Sequence, residues 1–124
     1  MAGRKRTGTQ DLRMKSLIFN LLKLAKDKKT NIWKKLAEEL SKPARSRRIA
    51  NLSQIDRYST NGEIVVIPGK VLGSGNLSHK LKIAAPAFSS SALKKIGDSG
   101  SLAISIEELL KENPKGTGVR IILE

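Results

Sequence analysis

Sixteen of the chain's 24 lysines and arginines, but only five of its 11 acidic residues, lie at or before Arg57, so the first part of the chain carries +11 and the remainder, with 8 basic and 6 acidic residues, only +2. So much like charge on a short stretch repels itself unless a polyanion neutralises it, and the abundant cellular polyanions are nucleic acids and anionic membranes. The asymmetry therefore predicts a basic, phosphate-facing arm and helical segment, residues 1–48, joined to a nearly neutral globular body, residues 49–124. At 124 residues the chain suits one domain with an arm, and a chain of this size buries roughly two-thirds of its unfolded surface without needing disulfides or metal. There is no cysteine, which excludes disulfide scaffolds and thiolate zinc sites. No run approaches the ~20 apolar residues of a membrane span, and the basic N-terminus is not followed by the apolar segment of a signal peptide. A cytoplasmic binding protein is expected, with no membrane partner, cofactor or small-molecule substrate.

Two clusters are densest: Arg4, Lys5 and Arg6, and then Lys42, Arg45, Arg47 and Arg48. Arg13 and the lysines at 26, 28 and 29 lie between them. Over residues 12–25 the apolar Met14, Leu17, Ile18, Leu21, Leu22 and Ala25 recur at helical steps. Thr9 is the expected cap of that helix and Asp11 suits its first turn. A second helix is expected over 32–40, capped by Asn31, with Trp33, Leu36, Ala37 and Leu40 on one face; the two should pack as a hairpin against the body. Residues 49–58 fit a helical step or a brief strand, with strand preferred. Strands are expected at 64–67, 71–72, 81–85, 102–104 and 119–123. A short helix carrying Ala92, Leu93 and Ile96 should stop at Gly97, and the Ser105–Glu108 capping box should open another that ends before Pro114. Short strands alternating with short helices imply an α/β fold.

The segment PGKVLGSG, Pro68 to Gly75, is neither a Walker loop nor a dinucleotide fingerprint. It lacks the first Walker glycine and the Ser or Thr after Lys70, and Ser78 stands where a third dinucleotide glycine would be. Two readings stay open here. One is a plain turn between strands; the other is a loop whose amides, with Lys70 and Lys80 nearby, approach a phosphate or base. His79 is the only histidine, so no two-histidine metal site exists. The Ser91–Lys94 spacing of penicillin-recognising enzymes lacks its companion motifs. Glu107, Glu108 and Glu112 read as a solvated helix face, and Trp33, Tyr58, Phe19 and Phe88 are too scattered for a single-strand platform, the periodic ones being core. Contacts should be to phosphate, sugar and RNA shape.

Taken in order, RRIANLSQIDRYS, IVVIPGKVLGSGNLSHKLKIAAPAFSSSA and ISIEELLKENPKGTGVRIIL resemble the large-subunit ribosomal protein eighteen of archaea and eukaryotes, a relative of bacterial large-subunit protein fifteen. The resemblance spans essentially the whole chain, and its length is similar to the archaeal form. One departure is Gly97-Asp98-Ser99-Gly100, where the family usually has a double glycine. The resemblance implies a body of irregular strand-strand-helix turns and a structural, non-enzymatic constituent of the large ribosomal subunit, in contact with ribosomal RNA and neighbouring ribosomal proteins. It implies that Arg4, Lys5, Arg6 and Arg13 form the family's basic N-terminal segment, that Arg45, Arg47 and Arg48 form its arginine-rich loop, and that Lys70, Ser74 and His79 line an RNA-facing loop without fixing which of them touches RNA. Lys42 and Lys80 join them on charge alone. The alternatives are a chromatin-like or other non-ribosomal nucleic-acid binder and, more remotely, a small enzyme acting on phosphorylated ligands at the glycine turn.

Overall fold

The β-branched run at 64–67 is buried at Val65, Val66 and Ile67, and the rest of the chain is arranged around it. The computed structural model describes residues 8–42, 48–116 and 118–122. Its elements are α1 (Gly8–Lys28), α2 (Asn31–Leu40), β1 (Arg48–Asn51), α3 (Leu52–Arg57), β2 (Ile64–Val66), β3 (Gly69–Leu72), β4 (Lys82–Ala84), β5 (Ala87–Phe88), α4 (Ser90–Asp98), β6 (Leu102–Ile104), α5 (Ile106–Glu112) and β7 (Val119–Ile121). Among the described residues every strand pairing is parallel. The strands form a three-stranded sheet, β1-β3-β5, and a four-stranded sheet, β6-β4-β2-β7. This is the expected α/β class.

Two extended segments serve both sheets. β2 runs through Ile67-Pro68 into β3, and β4 runs through Ala85-Pro86 into β5. Proline has no N–H, so a ladder cannot pass through it, yet it holds the preceding residue extended. The last rungs before each proline are Ile67 N–H to the Ala84 carbonyl at 2.9 Å and Ala85 N–H to the Ile104 carbonyl at 3.3 Å. Beyond the prolines the chain changes sheet.

Parallel sheets are normally covered on both faces, and the four-stranded sheet follows that rule. Val65, Ile67, Ile83 and Ala85 pack with Leu52 and Ile55 of α3 and Ala92 and Ile96 of α4. On the other side Val66 and Ala84 pack with Leu17 and Leu21 of α1, Trp33, Leu36 and Leu40 of α2, and Ile106 and Leu109 of α5. The helical hairpin expected from the spacing is present and lies on this second face. Trp33 is fully buried, and its indole N–H donates to the Pro114 carbonyl at 2.7 Å. Gly116, at φ 72°, lies so close that a Cβ there would stand 2.8 Å from Ile32 Cγ2 and 3.3 Å from the Trp33 ring. α2 thus fixes the turn that leads into β7.

Several expectations are corrected. Residues 49–58 are not one strand: after β1 the chain becomes helical, because the Gln54 side chain accepts from Asn51 N–H at 3.0 Å and turns Leu52 and Ile55 inward. Gly97 lies inside α4 rather than past its end, and the left-handed turn falls on Gly100 at φ 81°. Thr9 is inside α1, and Thr30, not Asn31, is the N-cap of α2. β5 was not foreseen, since two residues carry no periodicity. Of the stripe residues, Leu22 and Leu93 are exposed; of the aromatic ones, Trp33 is core but Phe19 is not. Leu123, expected in the last strand, lies outside the described residues.

Trp33→Phe preserves most of the packing but leaves the Pro114 carbonyl without its donor. It should lower stability by about 1–3 kcal/mol, read as a lower urea midpoint at unchanged slope.

Candidate nucleic-acid interface

Residues 73–81 connect β3 to β4 and form a loop with backbone atoms packed against its neighbours. A Cβ on Gly73 would lie 2.9 Å from the Ala92 amide nitrogen, and one on Gly75, already at φ 93°, would lie 2.8 Å from that of Ser53. Only glycine fits at either position. Ser53 N–H donates to the Ser74 carbonyl at 3.1 Å. From the other side, the Lys95 ammonium of α4 donates to the carbonyls of Gly73 at 2.8 Å and Gly75 at 3.0 Å. Lys95 therefore buttresses the loop.

The second half of the loop is tied to α3 and the segment after it. The Asp56 carboxylate accepts from Ser78 N–H at 2.8 Å and from its hydroxyl at 2.9 Å. His79 stands between Asp56, 3.3 Å from its Nδ1, and Ser59, 2.9 Å from its Nε2, with 18% of its side chain exposed. This order superficially matches a hydrolase triad. However, the Ser59 hydroxyl is buried and donates to the Ile55 carbonyl, so its proton is directed away from the ring. The three residues act as a latch. Lys80 N–H donates to Asn61 Oδ1 at 2.9 Å, and its carbonyl accepts from Gly62 N–H at 2.8 Å.

These bonds shape the local electrostatics. The Ser78 backbone N–H, helped by the Ser78 hydroxyl and the His79 ring, holds the Asp56 carboxyl below its ordinary value against the opposing cost of burial. The Thr60 N–H, with Arg120, does the same for Glu63; Arg120 lies 3.1 Å from the Glu63 carboxylate. With these two acids engaged by Ser78, Thr60 and Arg120, the charged side chains left exposed on β3 and the loop are lysines. Lys70 lies on the open face of the three-stranded sheet, in register with exposed Ile49 and Ala87. Lys80 is exposed with its stem beside Gly100. Among the described residues neither lysine has an ion pair, and Ser74, between them in sequence, is exposed.

The other expected residues are dispersed. Arg13 is exposed on α1. Lys42 follows α2 and pairs with Glu39 at 3.1 Å. Arg48 lies on β1 beside Gly69. Arg4, Lys5, Arg6, Arg45 and Arg47 lie outside the described residues. The sequence reading missed Asp56, Ser59, Asn61 and Lys95, the residues that hold the loop. It also missed Arg57, whose guanidinium lies 5.9 Å from the Tyr58 ring centroid. Among the described residues no group of three metal-ligating side chains occurs, and no helix is long and apolar enough to cross a membrane.

Residues 18–104 match the family of ribosomal proteins 50S-L15, 50S-L18e and 60S-L27a. The chain is similar to the large ribosomal subunit protein eL18 of Archaeoglobus fulgidus, 46% identical over 87% of this chain and 92% of that protein. It is likewise 46% identical to the eL18 of Methanoregula boonei, over 89% of this chain and 91% of that protein. To the eL18 of Halobacterium salinarum it is 43% identical, over 89% and 94%.

A carboxyl held low in the folded state stabilises the fold above its unfolded pKa, about 3.9 for Asp, and that contribution is lost as pH falls through the folded value. Acid unfolding should therefore begin once the medium passes below about pH 4. Asp56→Asn should flatten that dependence and cost roughly 1–2 kcal/mol at neutral pH, measured by urea unfolding across the pH series. A variant with the parent's acid profile would remove Asp56 from the latch.

Proposed function

Because the chain belongs to the family of ribosomal proteins 50S-L15, 50S-L18e and 60S-L27a, we propose that it acts as a structural constituent of the large ribosomal subunit, binding folded ribosomal RNA without catalysing a reaction. The observation that carries the mechanism is the glycine loop held from behind. Lys95, Asp56 and Asn61 bond to it, and Lys70 and Lys80, without an ion pair among the described residues, are exposed. A rigid loop and the strand before it present these ammonium groups without the ordering cost a mobile segment would incur on binding. Ser74 adds a hydroxyl for sugar or phosphate oxygen, and the His79 latch keeps the loop in place.

In this reading Arg13, Lys42 and the arginines and lysines at 4, 5, 6, 45, 47 and 48 neutralise backbone phosphates and release counterions, while the body fits the RNA by shape. The role assigns the protein to ribosomes in the cytoplasm, next to ribosomal RNA and other ribosomal proteins.

Tagged in its source cells and sedimented through a salt-washed sucrose gradient, the protein should run stoichiometrically with the large subunit and with translating ribosomes. Migration at the top of the gradient or with chromatin would instead support a non-ribosomal nucleic-acid binder. With six to ten phosphates contacted, affinity for large-subunit RNA should fall roughly 10³- to 10⁵-fold between 50 and 200 mM salt.

A further inference from the structure

α1 has two apolar sides. Leu17 and Leu21 face the core, whereas Leu12, Phe19 and Leu22 are 68%, 67% and 46% exposed. At 100° per residue these three fall within one stripe, about opposite the buried one. Single exposed apolar residues are ordinary, but three on one stripe form a patch that marks an interaction surface.

The charges on that stripe identify the occupant. Lys15 and Lys26 lie on its centre line with Phe19 rather than along its flanks, and both are exposed. A membrane-surface helix keeps its cations at the edge of a continuous apolar face; here an acyl phase would have to take in two ammonium groups. A nucleic-acid strand presents bases and phosphates together, which suits a stripe on which one ring, Phe19, stands between two ammonium groups, Lys15 and Lys26.

At its far end the stripe opens into a notch of about 300 Å³ between α1 and α2, lined by Leu22, Ala25, Lys26, Lys29, Thr30, Asn31 and Lys34. Three cations and no acid line it, and among the described residues none of the three is in an ion pair. Lys29 holds φ 53° at the hairpin turn, a left-handed position where glycine is ordinarily preferred. Among the described residues the buried Thr30 hydroxyl has no hydrogen-bond partner, and as N-cap its side chain makes no bond to the first turn of α2.

We infer that the outward face of α1 and the notch at its end form a second RNA-docking surface, separate from the glycine loop, in which Phe19 stacks on an unpaired base and Lys26, Lys29 and Lys34 hold backbone phosphate. Phe19 and Lys26 are two turns apart, about 10.5 Å along the helix. The surface rests on the ribosomal reading for its RNA.

The test is binding of the full chain to deproteinised large-subunit ribosomal RNA over a series of salt concentrations. Phe19→Leu, at an exposed position where folding is not at risk, should weaken binding roughly 5- to 150-fold with the salt slope unchanged, and Phe19→Tyr should restore it. Replacing Lys26, Lys29 and Lys34 together by Gln should lower the slope by about 1 or more. Parent-like binding of Phe19→Leu at every salt concentration would overturn the proposal. So would variants that bind RNA normally but fail to enter the subunit, which points to a protein partner. Phe19-dependent binding to phosphatidylserine vesicles in place of RNA would also overturn it. A parent chain that does not bind this RNA at all would bring down the ribosomal reading itself, whereas a defect confined to these variants tests the surface alone.

Discussion

The parallel pairing of β2 with β4, in register from Ile64 on Lys82 to Val66 on Ala84, is the contact on which the other elements depend. Its strands are buried on both sides, so each successive residue faces a different layer: Val65 and Ile83 toward α3 and α4, Val66 and Ala84 toward the hairpin and α5. A slip of one residue would exchange the two layers. The same two segments, bent at Pro68 and Pro86, continue as β3 and β5. The second sheet and the loops that leave it are therefore positioned by the first.

From that frame follows the character of the surface. The loop after β3 lies so close to α3 and α4 that two glycines are obligatory, and its carbonyls and amides are bonded by Lys95, Ser53, Asp56 and Asn61. The acids nearest the loop serve as acceptors: Asp56 for Ser78, Glu63 for Thr60 and Arg120. The charged side chains left exposed on β3 and the loop, Lys70 and Lys80, are cations, which is the electrostatic requirement for lying against a phosphate backbone. The hairpin follows a different plan. One side of α1 is consumed by the core and the other keeps both apolar and basic residues in solvent.

Much of the fold was legible because its elements carry strong local patterns. Trp33, Leu36 and Leu40 mark a helix face, the run at 64–67 marks a buried strand, and Ser105 with Glu108 marks a helix start that the structure reproduces through reciprocal bonds. Residues 49–58 were misread because strand and helix meet there within ten residues, and the bond that separates them, from Asn51 to Gln54, is a side-chain contact that periodicity does not carry. The candidate loop was legible as glycine chemistry, but its supports were not. Lys95 and Gly73 are 22 residues apart, as are Asp56 and Ser78, and no local spacing brings them together.

By itself the sequence determined the charge asymmetry, the α/β class, most helices and strands, and the family, since these depend on composition, on periodicity and on residues adjacent in the chain. The tertiary structure alone decided which cations point outward and which are engaged within the protein. It directed Lys95 into the loop, kept Lys70 and Lys80 in solvent, closed His79 between Asp56 and Ser59, and turned Phe19 away from the core. The physical reason is that a charge or a ring takes its role from the neighbours that desolvate it or leave it exposed, and those neighbours arrive from distant strands and helices only when the sheet has brought them together.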